Sequence, residues 1–381
     1  MESPRPRRAG FTLVELLVVI LIIGILIAII VPAITAAFRK AKEAQVTAEL
    51  NNLATALASF KNAYDDYPPS RIILSEEGFT LTLARTEFTA GNAVKVAGDT
   101  DTNDTDLTYP QLAQRSLRYL RKFWPRVDFV NLSGTGATFL DFNNNGKNDG
   151  YIVLSGPECL VFFLGGTPVV DASNSTVGVS GFGKSPVNPF NAAATNRTVP
   201  NYEFNVGRLV DINGHGFPSY LDPIGTGPTD RLPYAYFSAY GTNAYDPNDC
   251  NGNGLLSPVP YEQDDSATPH DVERAFSVGY PTSSAGPPYS ATSPAPNPYT
   301  SSVPYSTAGS AFLNANSYQL ICAGQDRLWG LGGQYIANAG PGGRLPLAAK
   351  AGDAGNTYDE PAGIRIREAD NLSNLANGRL D

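Results

Sequence analysis

Three short segments of the chain share the spacing Asp-x-Asn-x-Asn/His-Gly, at residues 141–146, 211–216 and 249–254. This spacing places three oxygen- or nitrogen-bearing side chains on the inside of a tight turn, with glycine where the backbone reverses, as in the first half of an EF-hand calcium loop. The same residue types are also common in turns that bind no metal. Both interpretations therefore stay open for these segments.

The first of these segments is the strongest candidate for a calcium site. Asp141, Asn143 and Asn145 could supply three ligands, and Asp149 could supply a further ligand at the ninth position of the loop. In the other two segments ordinary turns are favoured, because the twelfth loop position is not consistently acidic and His215 is a poor ligand for a hard cation.

A single acidic residue, Glu15, stands near the start of an otherwise apolar run at residues 11–34. As a helix, this run is long enough to cross a hydrocarbon core of roughly 30 Å. A carboxylate inside a bilayer costs roughly 3 kcal/mol or more and is normally paired and functional. The run is also too long for a secretory signal and lacks a small-residue cleavage site behind it.

The residue types elsewhere offer no catalytic arrangement. The chain has only 2 histidines, and it contains no GxSxG, HExxH or phosphate-binding glycine loop. We therefore expect that the protein is not an enzyme. Its net charge of −9 argues against nucleic acid as a partner. Cys159, Cys250 and Cys322 fit neither a CxxC metal site nor a disulfide framework, and at most one pair can form.

An amphipathic helix is predicted to follow the apolar run, over residues 35–66. Its apolar positions recur every three or four residues, and Pro68 and Pro69 cannot continue a helix. The stripe consists of Val46, Leu50, Leu53, Leu57, Phe60 and Tyr64. This stripe could form a coiled-coil seam or pack onto a globular head, and the shortness of the run favours the head.

The N-terminal sequence RAGFTLVELLVVILIIGILIAIIVPA resembles the class III signal of type IV pilins and type II secretion pseudopilins. The resemblance implies that a prepilin peptidase cuts between Gly10 and Phe11 on the cytoplasmic side and that Phe11 is then N-methylated. It also places Glu15 at the fifth mature position. There its carboxylate could pair with the N-terminal amine of a neighbouring subunit and fix the register of a filament.

The C-terminal sequence SYQLICAGQDRLWGLGG, at residues 317–333, is similar to the YxLxSxGxDGxxG strand and loop of major pseudopilins. Cys322 replaces the usual serine, and Arg327 replaces a glycine. In that family the loop binds calcium, and the resemblance assigns Asp326 to such a site. Asp370 resembles the family's closing acidic residue, although the closing aromatic residue is absent. The alternative is that both aspartates cap ordinary turns.

The resemblance implies an α+β fold, in which a long N-terminal pilin helix packs on an antiparallel β-sheet head with a large loop-rich insertion. The predicted divisions are a leader peptide at 1–10, a transmembrane and assembly segment at 11–34, the amphipathic helix at 35–66, an inserted periplasmic region at 67–316 and pseudopilin-like strands and loop at 317–381.

Inside the inserted region, the pattern predicts a strand that runs to Ala84, with alternating apolar residues up to Leu83. It predicts a helix over residues 107–127, which ends at Pro125. Residues 151–166 are predicted to form a strand followed by either a buried helix or a second strand. Residues 278–311 are rich in Pro, Ser, Thr and Tyr, which indicates a long irregular segment.

The resemblance further implies a structural subunit of a type II secretion pseudopilus or a related type IV pilin-like filament. The expected partners are other pilin or pseudopilin subunits, prepilin peptidase and an inner-membrane assembly platform. The expected location is the inner membrane, with a single pass and a cytoplasmic N-terminus. Two alternatives stay open: a minor or tip subunit whose inserted region binds a substrate or surface, and a tethered periplasmic domain that never polymerises.

Overall fold

The structure is a computed structural model, and it describes residues 13–79, 109–130, 132, 139–173, 175–225, 231–239, 245, 298–301, 312–327, 333–340, 343–345, 368–376 and 378–380.

One helix, α1, runs without interruption over Leu13–Tyr64, so the predicted transmembrane and amphipathic segments form a single element. The helix continues through Pro32, and the Thr35 hydroxyl donates a hydrogen bond to the Pro32 carbonyl at 2.8 Å. It ends where Asp65 adopts a left-handed φ of 57°. The prolines that follow then prevent its continuation, as the sequence predicted.

The two halves of α1 have opposite environments. Residues 13–41 are all exposed, whereas the second half carries a buried stripe. The buried side chains of α1 are Glu43, Val46, Leu50, Leu53, Ala56, Leu57 and Phe60. The predicted apolar stripe is therefore confirmed up to Phe60, and Tyr64 is half-buried at its end.

Two shorter helices and twelve strands follow α1 in the described part of the chain. The helices are α2 (Tyr109–Phe123) and α3 (Gly156–Gly165). The strands are β1 (Ile72–Ser75), β2 (Tyr151–Leu154), β3 (Thr167–Val170), β4 (Thr176–Ser180), β5 (Leu209–Val210), β6 (Ser219–Tyr220), β7 (Ala235–Ser238), β8 (Tyr299–Thr300), β9 (Tyr318–Cys322), β10 (Gly333–Gln334), β11 (Leu372–Ser373) and β12 (Gly378–Arg379).

The largest sheet has four strands in the order β12-β11-β9-β7, and all of its neighbours are antiparallel. Leu372 of β11 lies opposite both Cys322 of β9 and Arg379 of β12. The remaining strands form two-stranded pairs: β1-β2, β3-β4 and β5-β6 are antiparallel, and β8-β10 is parallel. The long helix and the antiparallel sheet confirm the α+β fold.

A single hydrophobic core joins α1 to the head. The stripe of α1 packs against α3, β11 and β12, and the same core takes in α2 and β9. The ring of Phe60 lies edge-on to the rings of Phe123 on α2 and Phe163 on α3, with centroid distances of 5.3 and 5.9 Å. Edge-to-face aromatic pairs add to the stability that burial of apolar area provides.

The head takes one strand of its main sheet from the middle of the chain. Strand β7 lies within residues 67–316, yet it pairs with β9 over four residues, from Ala235 opposite Ile321 to Ser238 opposite Tyr318. The division of the chain at residues 316 and 317 stays a prediction.

The middle of the chain confirms one predicted element and decides between two alternatives for another. Helix α2 falls inside the predicted range 107–127. Residues 151–166 form a strand and then a helix, α3, which begins with a capping box. There the Ser155 amide donates to the Glu158 carboxylate at 2.8 Å. This side chain satisfies a backbone donor that the first helical turn leaves open.

The strand predicted to reach Ala84 is shorter than expected. Strand β1 ends at Ser75, and Gly78 then adopts a left-handed φ of 88°. The Phe79 amide donates to the Phe129 carbonyl at 2.6 Å instead of joining the β1-β2 ladder. Residues 80–84 lie outside the described part of the chain, as does most of the predicted irregular segment 278–311.

Candidate assembly helix and its junction with the head

The first half of α1 is an uncovered apolar surface. Its most apolar window has a mean hydropathy of 3.4, and 0% of that window is buried. From Leu13 to Ile34 the helix advances about 33 Å at about 1.5 Å per residue. This length matches a hydrocarbon core of about 30 Å. The segment is therefore long and apolar enough to serve as a single-pass membrane anchor.

The residues that the sequence links to processing lie at or before the start of this surface. Gly10 and Phe11 are outside the described residues, and Glu15 lies in the first turn of α1. A carboxylate at a helix N-terminus interacts favourably with the helix dipole. The pairing of Glu15 with a neighbouring Phe11 amine requires a second subunit and stays a prediction.

The second half of α1 is fastened to the head by a buried ion pair between Glu49 and Arg208. Arg208 Nη2 lies 2.6 Å from Glu49 Oε1, and Nη1 lies 2.9 Å from Oε2, so the contact is bidentate. The side chains are only 8% and 12% exposed for Arg208 and Glu49. The Tyr234 hydroxyl adds a hydrogen bond to Glu49 Oε2 at 2.7 Å. Such planar, charge-assisted contacts are among the strongest that proteins form.

The surroundings of Arg208 keep its charge in place. Arg208 also donates to the Tyr220 hydroxyl and, at 3.2 Å, to the Leu221 carbonyl. Burial alone would lower the pKa of Arg208, but the hydrogen bond and charge of Glu49 outweigh burial and raise it. The guanidinium therefore stays protonated and ties α1 to β6, while Glu49 itself accepts the hydrogen bond from Tyr234, just before β7.

A second ion pair fastens α1 closer to the membrane segment. Glu43 accepts a hydrogen bond from Arg379 on β12 and another from Lys40 Nζ at 3.0 Å. Burial raises the pKa of Glu43, but the hydrogen bonds and charges of Arg379 and Lys40 outweigh it, so the net pKa is lowered. Two carboxylates of α1 are therefore held by arginines from two distant parts of the chain.

Sequence reasoning missed this junction. Glu43 and Glu49 flank the apolar stripe of α1 and look like ordinary solvated residues of an amphipathic helix. Their partners Arg379 and Arg208 lie 336 and 159 positions away along the chain. A single sequence carries no signal for pairs at that separation, and only the folded structure brings them together.

The first candidate calcium loop does bring its predicted residues together. Asp149 Oδ2 accepts hydrogen bonds from the side-chain amides of Asn143 at 2.7 Å and Asn145 at 2.6 Å. Asp141 accepts the backbone N–H of Asn145 at 3.1 Å and that of Gly146 at 2.8 Å. The four predicted side chains therefore form one cluster around a tight turn.

The carboxylate of Glu76, which the sequence did not single out, is buried beside this loop and accepts hydrogen bonds from its backbone. Glu76 is fully buried and accepts the backbone N–H groups of Phe142 at 3.1 Å and Asp149 at 2.7 Å. Burial raises its pKa to about 7, and the negative charges of Asp149 and Asp141 act in the same direction. The only sequence signal was its position directly after strand β1.

The donor set of the loop is not sufficient on its own to establish a cation site. The amide nitrogens of Asn143 and Asn145 both donate to Asp149 Oδ2, so this carboxylate oxygen already has two hydrogen-bond partners within the loop. Among the described residues, no group of three or more His, Cys, Asp and Glu side chains is arranged to hold a metal ion. Calcium at residues 141–149 therefore stays a prediction.

The second segment with this spacing has the contacts of a structural turn. Asp211 accepts the backbone N–H groups of Gly214 and Gly216 at 2.9 and 2.8 Å. The Asn213 side chain donates to Glu158 on α3 at 2.7 Å. The His215 carbonyl accepts a hydrogen bond from the side-chain amide of Asn143, in the first loop, at 3.0 Å. The third segment, 249–254, lies outside the described residues.

The two C-terminal aspartates, Asp326 and Asp370, lie close together. Asp370 Oδ2 accepts the backbone N–H groups of Gln325 at 2.6 Å and Asp326 at 2.9 Å, and this closes the turn after β9. Burial raises the pKa of Asp370. These contacts are those of a capping carboxylate, and a calcium role for Asp326 and Asp370 stays a prediction.

Two cysteines can be placed. Cys159 on α3 and Cys322 on β9 are both buried. The chain's third cysteine, Cys250, lies outside the described residues.

Comparison with known proteins identifies the N-terminal segment. Residues 5–31 match the family model of the prokaryotic N-terminal methylation motif. Neither the curated proteins nor the solved structures gave a match. The matched segment contains Gly10, Phe11 and Glu15, and it continues into the exposed apolar half of α1. This motif and the long apolar helix that follows it fit a type IV pilin-like protein.

Proposed function

We propose that the protein is a structural subunit of a type II secretion pseudopilus or a closely related type IV pilin-like filament. The observation that carries the proposal is the division of α1 into an exposed apolar half and a half packed into the head. The exposed half needs an apolar environment, because large contiguous apolar surfaces are unfavourable in water. Lipid provides that environment before assembly, and neighbouring helices provide it afterwards.

The methylation motif supports the same proposal at the chemical level. Removal of the leader by a prepilin peptidase leaves a charged amine at Phe11, and Glu15 provides a carboxylate four residues further along. In an apolar environment both charges are costly unless they are paired. Contact between the amine of one subunit and Glu15 of the next would remove both costs and set the axial register.

The C-terminal region supports a pseudopilus over other pilin-like assemblies. The pseudopilin-like sequence at residues 317–333 begins with strand β9, and the turn after this strand is closed by Asp370. Strands β11 and β12 pack against α1, and β9 belongs to the same hydrophobic core. We further propose that α1 crosses the cytoplasmic membrane once, with the N-terminus in the cytoplasm, and that an inner-membrane platform assembles the filament. The protein has no catalytic role in this proposal.

Processing and assembly provide the test. N-terminal mass spectrometry should find a mature chain that begins with methylated Phe11. Gly10→Leu should block cleavage, and Glu15→Gln should leave cleavage intact but abolish incorporation into filaments. Glu77→Gln, at an exposed carboxylate of the head, serves as the matched control.

Two outcomes would contradict the proposal. An uncut leader on the wild-type protein would indicate a tethered domain that does not polymerise. Wild-type assembly by Glu15→Gln would show that its carboxylate does not set the register. Abundance in sheared filaments then distinguishes the two filament roles, because a main subunit is plentiful and a minor or tip subunit is scarce.

A further inference from the structure

A basic collar lies on α1 between its apolar half and the point at which the helix enters the head. It consists of Arg39, Lys40 and Lys42, and Phe38 precedes it directly. Phe38 is 68% exposed, and the Lys40 side chain is 74% exposed. The first buried residue of α1, Glu43, follows immediately. The collar therefore lies outside the head and outside the apolar segment.

We propose that this collar binds the anionic phospholipid headgroups of the membrane leaflet on the head side. The proposal requires only that α1 spans a membrane and does not depend on filament assembly. It assigns the collar a partner of defined chemistry, a phosphate-bearing lipid surface.

The depth of the collar agrees with this partner. If the hydrocarbon core ends near Ile34, Phe38 lies about 6 Å and Lys42 about 12 Å further along the helix, at about 1.5 Å per residue. The headgroup layer on each side of a bilayer is roughly 5–8 Å thick. Side chains of a helix tilt toward its N-terminus, which here means toward the membrane. Long basic side chains can therefore bring their charged groups back to the phosphates.

The charge of the collar also agrees with this partner. Lys40 is paired with Glu43, and Glu43 is shared with Arg379, so this group of three has a net positive charge. Arg39 and Lys42 add two further positive charges.

The turn after β9, which contains Asp326, contacts the collar. Its Gln325 side chain donates to the Arg39 carbonyl at 3.2 Å. Asp370 is occupied by two backbone N–H groups of that turn, from Gln325 and Asp326. The collar therefore keeps an excess of positive charge, which an anionic surface complements.

The helical positions place two of these charges beneath the head. At 100° per residue, Arg39 and Lys42 lie on the side of α1 that carries Val46 and Leu50. They are about one to two turns closer to the membrane than Val46 and about two to three turns closer than Leu50. Bound headgroups would therefore fill the space between the head and the membrane and would hold the head close to the lipid surface.

The test uses the full mature chain, with its leader removed by prepilin peptidase, in neutral detergent. Phosphatidylglycerol and phosphatidylcholine are added in equal amounts, and retained lipid is measured by native mass spectrometry. The wild-type protein should retain phosphatidylglycerol preferentially. Arg39→Gln with Lys42→Gln should reduce that preference about 25-fold, at about fivefold per charge. This variant leaves the Lys40–Glu43 pair intact.

The matched control is Arg118→Gln with Arg121→Gln, which removes two exposed charges of α2 and should leave the preference unchanged. Equal retention of both lipids by the wild-type protein would overturn the proposal, as would an equal loss in the control. Displacement of the lipid by an equal concentration of inorganic phosphate would also overturn it, because the site would then be one for free phosphate. The Glu15→Gln protein should keep the preference, which separates this result from any failure of assembly.

Discussion

At the scale of single residues, the junction between α1 and the head depends on charges that have left water. Glu49 and Arg208 are almost fully buried, and the tyrosine hydroxyl of Tyr234 completes the set of contacts. A buried pair of this kind contributes little net stability compared with a well-packed apolar pair, but the loss of one partner is costly. The reason is that the remaining charge keeps its desolvation penalty and loses its counter-charge.

Replacement of Glu49 by glutamine should therefore destabilise the head strongly. Arg208 would remain buried without a carboxylate, and the free energy of unfolding should fall by about 3–5 kcal/mol. Chemical denaturation of the full chain in detergent, followed by Trp124 fluorescence, measures this change. Trp124 is a suitable probe because its ring packs against Phe163 in the core.

A matched substitution and a double replacement test the cause. Glu77→Gln removes an exposed carboxylate and should change stability by less than about 0.5 kcal/mol. Replacement of Glu49 and Arg208 together by methionine should recover much of the stability that Glu49→Gln loses. If the double variant is no more stable than the single one, the loss does not come from an uncompensated charge.

The ion pair between Glu43 and Arg379 makes the stability of the head depend on pH. The pKa of Glu43 is lowered from its ordinary value of 4.5. A carboxyl with a lowered folded-state pKa contributes stability above its unfolded pKa, and this contribution is lost as the pH falls through the folded pKa. The thermal midpoint of the wild-type head should thus decrease as the pH falls below about 4.5.

Glu43→Gln should remove part of that decrease, because an amide does not titrate in this range. Thermal unfolding of the two proteins at a series of pH values makes the comparison. Parallel pH profiles for wild type and variant would show that Glu43 contributes nothing to the acid dependence.

At the scale of elements, the turn after β9 shows how one backbone conformation joins β9 and β11, the two central strands of the main sheet. Gly324 adopts a left-handed φ of 73°, and a Cβ at this position would lie 2.3 Å from the Asp370 carbonyl oxygen. Asp370 immediately precedes the segment that leads into β11, so the turn and the strand are joined by this close approach. Only glycine fits both the conformation and the space.

Gly324→Ala should therefore destabilise the head by more than 1 kcal/mol, since the backbone must shift and the left-handed conformation is strained. Unfolding by denaturant measures the loss, and hydrogen exchange should show weaker protection at β11. Gly146→Ala is the matched control, because Gly146 also has a left-handed φ, of 75°, but has no atom within 4 Å of an added Cβ. Equal losses in both variants would mean that φ alone matters.

The elements that could be predicted from sequence are those with local signals. The stripe from Val46 to Phe60 and helix α2 follow from helical spacing of apolar residues. For residues 151–166, periodicity alone could not separate a helix from a strand, because every residue of α3 is buried. The pairing of β7 with β9 could not be predicted, since it depends on contacts between residues far apart in sequence.

Among the candidate site residues, those in a contiguous motif could also be identified from the sequence, whereas one that depends on the fold could not. Gly10, Phe11 and Glu15 could be identified from a short motif, because the processing and assembly of pilin-like proteins depend on a contiguous segment. The aspartates at 326 and 370 lie close together, as do the residues of the cluster at 141–149, and a calcium role for either group stays a prediction. The buried Glu76 beneath that cluster was missed, since only its position directly after β1 separates it in the sequence from the adjacent exposed Glu77.

At the scale of the whole molecule, the described residues divide into an exposed apolar part of α1 and a head, and the boundary lies between residues 42 and 43. None of the residues from 13 to 42 is buried, and burial begins at Glu43. The head therefore does not need the apolar half for its core. A chain that begins at Thr35 should be soluble without detergent and should unfold at a midpoint within a few degrees of the full chain.

A chain that begins at Asn51 provides the decisive comparison. It lacks both carboxylates of the junction, Glu43 and Glu49, and it also lacks Val46 and Leu50, which are 0% and 4% exposed in the core. Loss of these contacts leaves Arg208 buried without its partner and opens the core beside β11 and β12. This chain should therefore unfold at a much lower temperature or fail to fold. Circular dichroism and thermal unfolding of the two truncated proteins measure the difference. If both truncations had the same stability, the head would not depend on the docked half of α1, and a pull on the membrane segment could not be transmitted to the head through this junction.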